Sequence, residues 1–272
     1  MSDKSSVDKA LDKYLPKKGK LAQAMRYSIF AGGKRFRPLL CFAAAEALGK
    51  NSNKVISIAA AIEMIHTFTL IHDDLPSMDN SNYRRGKLTS HKKFDEATAL
   101  LAGDALNTLA FEILAKSTKN SFVIEEISHA LMKVVEGQVL DLASASKNIG
   151  LKKLKEIHNK KTAALIRSCL ISVAIDLKAT KKQLKALTNY ANHLGLAFQI
   201  HDDILDVTST SKKLGKPAGA DKEKGFPYYL GVEKSKKLAV QEKNRAVASL
   251  KIFGKKSKLL VEIAEFVINR GN

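Results

Sequence analysis

The sequence predicts an all-α protein, a single-domain bundle of about ten helices over residues 1–272. Residues that favour helices (Ala, Leu, Ile, Lys and Glu) are abundant, and apolar residues recur three and four positions apart. No stretch alternates with a period of two for long enough to predict a strand, and no repeat or low-complexity linker divides the chain.

The first helix boundaries follow from proline, glycine and capping residues. Pro38 lies in the first turn of one predicted helix, and Gly49 follows its end. Asn51 and Ser52 can cap the next helix, NKVISIAAAIEMIHTFTLIHDD, which is apolar on nearly every face. A helix with that pattern is expected at the centre of the bundle.

Later capping signals delimit two further helices. Asp95 can cap DEATALLAGDALNTLAFEILAK, and Thr180 with Gln183 forms a capping box before a long helix. The polar segments 80–94 and 207–231 interrupt the helical pattern and are predicted to be loops.

Composition limits the class of protein. The content of 45% hydrophobic and 27% charged residues is ordinary for a globular chain. No apolar run approaches the roughly 18–20 residues of a membrane span, and the N-terminus lacks the apolar core of a signal peptide. Cys41 and Cys169 are isolated and indicate neither a disulfide framework nor a zinc site. A cytoplasmic location is the expectation.

The formal charge of +19 first suggests a nucleic-acid partner. The excess is mostly lysine spread along predicted helices, aromatic residues make up only 6%, and there is no Trp. No short recognition signature accompanies the charge. Solvated helix faces and anionic small molecules explain it better than nucleic acid does.

Two clusters of aspartates, IHDDLPSMD (71–79) and IHDDILD (200–206), are the main functional signal. Asp202 and Asp206 are four residues apart and share one helix face with Gln199. Asp73 and Asp79 are six apart, a spacing that a regular helix does not align. Pro76 interrupts that helix, so the chain can loop and bring Asp79 back.

Carboxylates in this arrangement suit magnesium, which takes one or two protein carboxylates and completes its coordination with water and phosphate oxygens. Each cluster is followed by a basic loop, 80–94 or 207–231, that can neutralise phosphates. Either cluster alone could be a solvated helix end. The presence of two such clusters, each followed by a basic loop, favours one metal site formed by both.

Six motifs together resemble the trans-isoprenyl diphosphate synthases (polyprenyl synthetases), with the four-residue spacer of bacterial farnesyl diphosphate synthases. They are GGKRFRP, EMIHTFTLIHDDLPSMDNSNYRRG, FDEATALLAGDAL, EGQVLDL, HNKKTAALI and LAFQIHDDILD, and the resemblance covers roughly residues 20–272. It implies the isoprenoid synthase fold with a central substrate cavity, and a homodimer.

The resemblance also implies the residues that bind the two diphosphates. Lys34, Arg37 and His66 correspond to groups that hold isopentenyl diphosphate. Arg84 would bind the allylic diphosphate and Arg85 the isopentenyl diphosphate. Arginine suits this purpose because its planar fork donates two parallel hydrogen bonds to phosphate.

Metal ligands are implied in the same way. Asp73, Asp79 and Asp202 correspond to ligands of a trinuclear magnesium cluster that bridges to the allylic diphosphate. Asp74 and Asp203 are expected to orient these ligands or to pair with lysines.

The resemblance places Lys161, Thr162 and Gln199 beside the reacting carbons, and Lys216 is expected to reach the allylic diphosphate from the long loop. The implied reaction is the head-to-tail condensation of isopentenyl diphosphate with an allylic diphosphate.

Farnesyl diphosphate is the expected product. Phe68 lies five residues before Asp73, about 7–8 Å down the helix, where its ring would block extension of the prenyl tail. A synthase of geranylgeranyl or another chain length remains an alternative, since Phe68 could serve only in core packing. A terpene cyclase and a noncatalytic helical partner subunit are alternatives of other classes.

Overall fold

The computed structural model describes residues 2–144, 148–208 and 225–270. These residues are mostly helical, which confirms the predicted fold class. The α-helices are α1 (Ser2–Tyr14), α2 (Lys20–Ile29), α3 (Phe36–Ala47), α4 (Ile56–Asp73), α5 (Ser90–Lys93), α6 (Glu96–Ser117), α7 (Ser121–Ala143), α8 (Gly150–His158), α9 (Ala164–Asp176), α10 (Lys181–Thr208), α11 (Phe226–Leu230), α12 (Val232–Ser249) and α13 (Lys258–Asn269). Two 3₁₀ turns, Ser52–Val55 and Lys251–Ser257, and a π-helical turn, Asn159–Ala163, complete the helical segments.

The core of the bundle surrounds α4. Every residue of α4 from Ile58 to Ile65 is buried, which confirms that this all-apolar helix is central. One continuous hydrophobic cluster joins it to buried side chains of helices from α1 to α13. A smaller cluster, centred on Phe226 and Ile200, lies beneath α11.

The capping residues act largely as the sequence predicted. Asp95 accepts a hydrogen bond from the backbone N–H of Thr98 at 2.7 Å and begins α6. Gln183 Oε1 accepts from the N–H of Thr180 at 2.9 Å, and Thr180 Oγ1 accepts from the N–H of Gln183 at 3.3 Å. This reciprocal pair is the capping box of α10.

Of the other two predicted boundaries, those of α3 agree with the structure and the predicted cap of α4 does not. Pro38 lies in the first turn of α3, and Gly49 follows that helix with a φ of +70°, as expected for a left-handed stop. Asn51, however, caps the 3₁₀ turn Ser52–Val55 and not α4 itself. The short turn inserts between the cap and the long helix.

The first predicted loop, 80–94, contains regular structure that the sequence did not show. Tyr83–Arg84 pairs antiparallel with Lys87–Leu88 to form the strands β1 and β2. Arg85 and Gly86, with φ values of +54° and +76°, form the turn between them. The expectation of no strand is therefore wrong here, because strands of two residues are too short for alternation to be visible. The helix α5 (Ser90–Lys93) also falls in this segment.

The second predicted loop, 207–231, is shorter than expected. Helix α10 continues to Thr208, and Phe226–Leu230 forms α11. Residues 209–224, including Lys216, lie outside the described residues.

The sequence was expected to contain no stretch with the length and apolar composition of a membrane span, and the structure contradicts this. Within the described residues, Ser52–Asp73 and Glu96–Ser117 are both long and apolar enough to pass that test. This is weak evidence for a membrane, because a buried core helix passes it equally well. Ser52–Asp73, which contains α4, is a core segment of that kind.

Candidate active site

The first aspartate cluster turns back on itself, as the sequence predicted. Helix α4 ends at Asp73, and Pro76 lies in the irregular turn that follows. The backbone N–H of Asp79 donates to the carbonyl of Asp73 at 2.9 Å. The turn therefore returns Asp79 to the end of α4.

The carboxyl group of Asp73 lies in an unfavourable environment for a charge. Its pKa is raised from 3.8 to about 6, chiefly by burial and also by the neighbouring carboxylates of Asp79 and Asp74. Lys161 and Arg84 act in the opposite direction but do not cancel the effect of burial. A partly desolvated carboxylate beside a second carboxylate is stabilised by a bound cation, so the chemistry of this pair fits a divalent metal.

Asp74 is held by Arg84. Arg84 Nε donates to Asp74 Oδ2 at 2.8 Å, and Nη2 donates to Oδ1 at 2.7 Å, in a bidentate pair. Burial raises the pKa of Asp74 even so, with Arg84 lowering it. Asp74 was expected to orient the metal ligands or to pair with a lysine, and the structure pairs it with an arginine. Arg84 is thus anchored beside the first cluster.

Lys161 lies on the π-helical turn Asn159–Ala163, between α8 and α9. Its Nζ donates to Asp141 Oδ2 at 2.6 Å. Two glycines allow this turn to pack closely against its neighbours. A Cβ on Gly137 would overlap the backbone of Lys161, and one on Gly195 would lie 2.7 Å from the Cβ of Ala163.

Thr162 and Gln199 occupy adjoining elements. Thr162 follows Lys161 in the same π-helical turn and is partly buried. Gln199 is buried on α10, one turn after the Gly195 on which the π-helical turn packs. π-helical turns are frequent at functional positions, and this one is a feature that sequence reasoning missed.

The second aspartate cluster ends α10, but its members have different surroundings. Asp202 is half-exposed, and its Oδ1 lies 3.3 Å from Arg270 Nη2. Asp203 accepts a hydrogen bond from the N–H of Phe226 at 2.8 Å and lies 3.2 Å from His158 Nε2. Asp203 therefore anchors α11; the roles expected of it, to orient the metal ligands or to pair with a lysine, stay predictions.

A cavity of about 330 Å³ brings together all the residues implied to bind isopentenyl diphosphate. These four are Lys34, Arg37, His66 and Arg85. The cavity is also lined by three other charged residues (Arg35, Arg270 and Glu63) and by three aromatic rings (Phe36, Phe198 and Phe266). The wall is predominantly cationic and suits a polyanion.

Burial, with help from neighbouring cations at His66 and Arg85, lowers the pKa of three basic residues of this cavity. Burial, and then Arg37 and Arg85, hold the pKa of His66 well below its usual value of 6.5. Burial lowers the pKa of Arg37 and of Arg85 as well. Arg37 Nε is buried without a hydrogen-bond partner in the described part of the chain. A bound anion would stabilise the charged form of these basic side chains and could accept a hydrogen bond from Arg37 Nε.

The GGKRFRP segment contributes a residue that sequence reasoning overlooked. Arg35 has a left-handed φ of +51° and is buried. It forms ion pairs with Asp8 at 2.8 Å and Glu63 at 2.9 Å. These contacts fix the loop that carries Lys34 and Arg37. A buried arginine between two cavity residues has no distinctive signal in the sequence.

The metal-ligand set is not fully assembled. Among the described residues, no three potential ligands surround one point. Asp73 and Asp79 are neighbours, whereas Asp202 is paired with Arg270. Magnesium needs only one or two protein carboxylates with water and phosphate oxygens, so these aspartates remain a suitable donor set.

An all-α bundle with paired carboxylates and a cationic cavity defines a class of enzyme that handles diphosphates. The chain belongs to the polyprenyl synthetase family, whose profile matches residues 18–265. It is therefore a trans-prenyl diphosphate synthase, a prenyltransferase.

Three comparisons illustrate the relationship. The chain is 42% identical to a geranylgeranyl diphosphate synthase of Cyanophora paradoxa, over 99% of this chain and 94% of that protein. It is 40% identical to a farnesyl diphosphate synthase of Micrococcus luteus, over 96% of this chain and 92% of that protein. It also resembles a geranyltransferase of Helicobacter pylori, solved in complex with magnesium and isoprenyl diphosphate, at a TM-score of 0.84 and 32% identity, over 98% and 94% of the two chains.

Proposed function

We propose that the protein condenses isopentenyl diphosphate head to tail with dimethylallyl and geranyl diphosphate, with magnesium as cofactor and farnesyl diphosphate as product. The observation that supports this most is the cationic cavity next to α4, the helix that ends at the Asp73–Asp79 carboxylates. The cationic cavity suits an anion by itself. The Asp73–Asp79 carboxylates suit an anion that is bridged to them by a cation.

In this proposal the cavity holds isopentenyl diphosphate. Arg37, which is partly buried, and Arg85, which is exposed, donate charge-assisted hydrogen bonds to its phosphate oxygens. His66 has a lowered pKa, so it binds as a neutral imidazole and donates one hydrogen bond. Lys34, whose Nζ lies 4.8 Å from the ring centre of Phe266, closes the outer edge.

The allylic diphosphate is proposed to bind at the aspartate clusters. Magnesium held by Asp73, Asp79 and Asp202 would neutralise charge on the leaving diphosphate. Arg84 and Lys161 add positive charge and are already positioned by Asp74 and Asp141 respectively. Lys216 is proposed to complete this set.

The chemistry begins when the C1–O bond of the allylic substrate breaks and its electron pair leaves with the diphosphate. The Thr162 hydroxyl and the Gln199 amide oxygen stabilise the resulting allylic carbocation through their dipoles. The double bond of isopentenyl diphosphate forms the new carbon–carbon bond to C1. Loss of a proton from C2 of the isopentenyl unit to the released diphosphate completes the product.

Phe68 is the residue proposed to limit the length of the product chain. Phe68 is partly buried, and its ring packs edge-on against His72 at 4.9 Å between centroids. Because its ring is held in place by this contact, Phe68 could block further growth of the prenyl chain, which favours farnesyl diphosphate as the product. The alternative product is geranylgeranyl diphosphate, since the relative from Cyanophora paradoxa carries that name.

We further propose a homodimer with no nucleic-acid partner. Helix α7 exposes apolar side chains at Met132, Val135, Val139 and Leu142, spaced three and four residues apart. An apolar stripe of this kind on an exposed helix suits a protein interface. The cytoplasmic location and the single-domain organisation over residues 1–272 stay predictions.

The test is to incubate the purified protein with magnesium, isopentenyl diphosphate and, separately, dimethylallyl, geranyl or farnesyl diphosphate. Products are identified by chromatography and mass spectrometry, with a chelator as control. A fifteen-carbon diphosphate supports the proposal, and a twenty-carbon product supports the alternative. Cyclic hydrocarbons would indicate a cyclase. No condensation with any donor would contradict the proposal and favour a noncatalytic subunit.

A further inference from the structure

Arg270, near the end of the described chain, contacts both halves of the site. Its guanidinium lies 3.3 Å from the carboxylate of Asp202, and it also lines the cavity that contains Arg37 and Arg85. We propose that Arg270 couples the two substrate sites: it pairs with Asp202 while that aspartate is free, and turns to the isopentenyl diphosphate once a cation occupies Asp202. This inference rests on the proposed function.

The contact with Asp202 is weak enough to be exchanged. The carboxylate is half-exposed, so solvent screens the pair, and the 3.3 Å separation is long for a charge-assisted hydrogen bond. A divalent cation with a diphosphate competes more strongly for the same oxygens. Arg270 can therefore be displaced without breaking a buried ion pair.

The other contacts of Arg270 keep its guanidinium at the cavity after displacement. It stacks over the ring of Phe198 at 3.7 Å, and Nη2 donates to the carbonyl of Phe198 at 2.8 Å. Its backbone carbonyl accepts a hydrogen bond from His201 Nε2 at 2.8 Å. These contacts hold the residue against α10, beside the cavity.

Arg270 also retains capacity to bind an anion. Its side chain is only 12% exposed, and Nε is buried with no hydrogen-bond partner among the described residues. A guanidinium has five N–H donors, several of which remain for a phosphate oxygen.

The consequence is positive coupling between the two sites. Occupation of Asp202 frees Arg270, which then strengthens binding of isopentenyl diphosphate. By thermodynamic linkage, isopentenyl diphosphate strengthens binding of the cation and allylic ligand by the same factor. A half-exposed ion pair supports a factor of about two to five.

Calorimetric titration of isopentenyl diphosphate into the full-length protein tests this coupling without turnover. One titration uses protein in chelator. The other uses protein saturated with magnesium and a geranyl diphosphate analogue whose ester oxygen is replaced by sulfur. For the wild type we expect the loaded protein to bind about two- to fivefold more tightly.

Arg270→Gln should weaken binding of isopentenyl diphosphate more in the loaded protein than in chelator, so that the ratio between the two titrations falls toward one. Arg270→Lys, which keeps the charge, should recover part of the gain on loading. Arg245→Gln is the matched control, because Arg245 is exposed on α12 and pairs with Glu242 away from the cavity. It should keep the wild-type ratio.

Three results would overturn the inference: no gain in the wild type, an unchanged ratio in Arg270→Gln, or equal weakening of both titrations, which would mean that Arg270 only docks the chain end. If the wild type bound no isopentenyl diphosphate in either state, the proposed function itself would fail.

Discussion

Replacing Asp73 with Asn is expected to stabilise the metal-free protein while abolishing its activity. Burial raises the pKa of this carboxyl from 3.8 to about 6. Because the folded-state pKa lies above the value of the unfolded chain, the carboxyl contributes stability below pH 3.8 that is lost as the pH rises through 6. The shift of about two units corresponds to about 3 kcal/mol of lost free energy of unfolding.

Asn resembles the protonated carboxyl group in shape and carries no charge at any pH. The variant should therefore match the wild type near pH 4 and exceed its free energy of unfolding by up to about 3 kcal/mol at pH 8. Turnover should fall by orders of magnitude, since a neutral amide is a poor ligand for magnesium.

Urea unfolding followed by circular dichroism, in chelator at several pH values from 4.5 to 8, measures the difference. Glu262→Gln is the control: this glutamate is exposed and 3.8 Å from Lys258, so its loss should change stability by less than about 0.5 kcal/mol at every pH. A stability gain that does not grow with pH, or no gain at pH 8, would refute the reasoning from burial.

Three further predictions concern the site. Phe68→Ala should shift the product distribution toward longer prenyl diphosphates, as seen by mass spectrometry; an unchanged distribution would show that Phe68 does not limit the chain. Gly137→Ala should lower both the melting temperature and kcat, because its Cβ would overlap the backbone of Lys161 and displace the π-helical turn; unaltered kinetics would argue against a positioning role. Arg85→Gln should raise KM for isopentenyl diphosphate at least tenfold, and Arg84→Gln should raise KM mainly for the allylic substrate; identical kinetic effects would contradict separate roles.

Much of the site could be predicted because its residues are gathered by local rules. The return of Asp79 to Asp73 follows from Pro76, which lies three residues after Asp73 and three before Asp79. Caps such as Asp95 depend on neighbours within four positions. The four residues that the resemblance assigns to isopentenyl diphosphate line one cavity in the structure.

The contacts that the sequence did not show join separate segments. Asp74 and Asp203 were expected to orient metal ligands or to pair with lysines, and the sequence did not show that Asp74 pairs with Arg84 in β1 or that Asp203 accepts from the N–H of Phe226. The partner of a carboxylate is decided by which cations and donors the packed helices bring close, and spacing along the chain carries no record of that.

The sequence by itself determined the fold class, several helix boundaries and the turn that joins Asp73 to Asp79, because hydrophobic periodicity, capping and proline act over one or two turns. Only the tertiary structure decided that Arg270 would reach both Asp202 and the isopentenyl cavity, and that Gly137 and Gly195 would admit the π-helical turn. Those features depend on how closely helices far apart in the chain approach, and the free energy of that approach comes from the packing of the whole core.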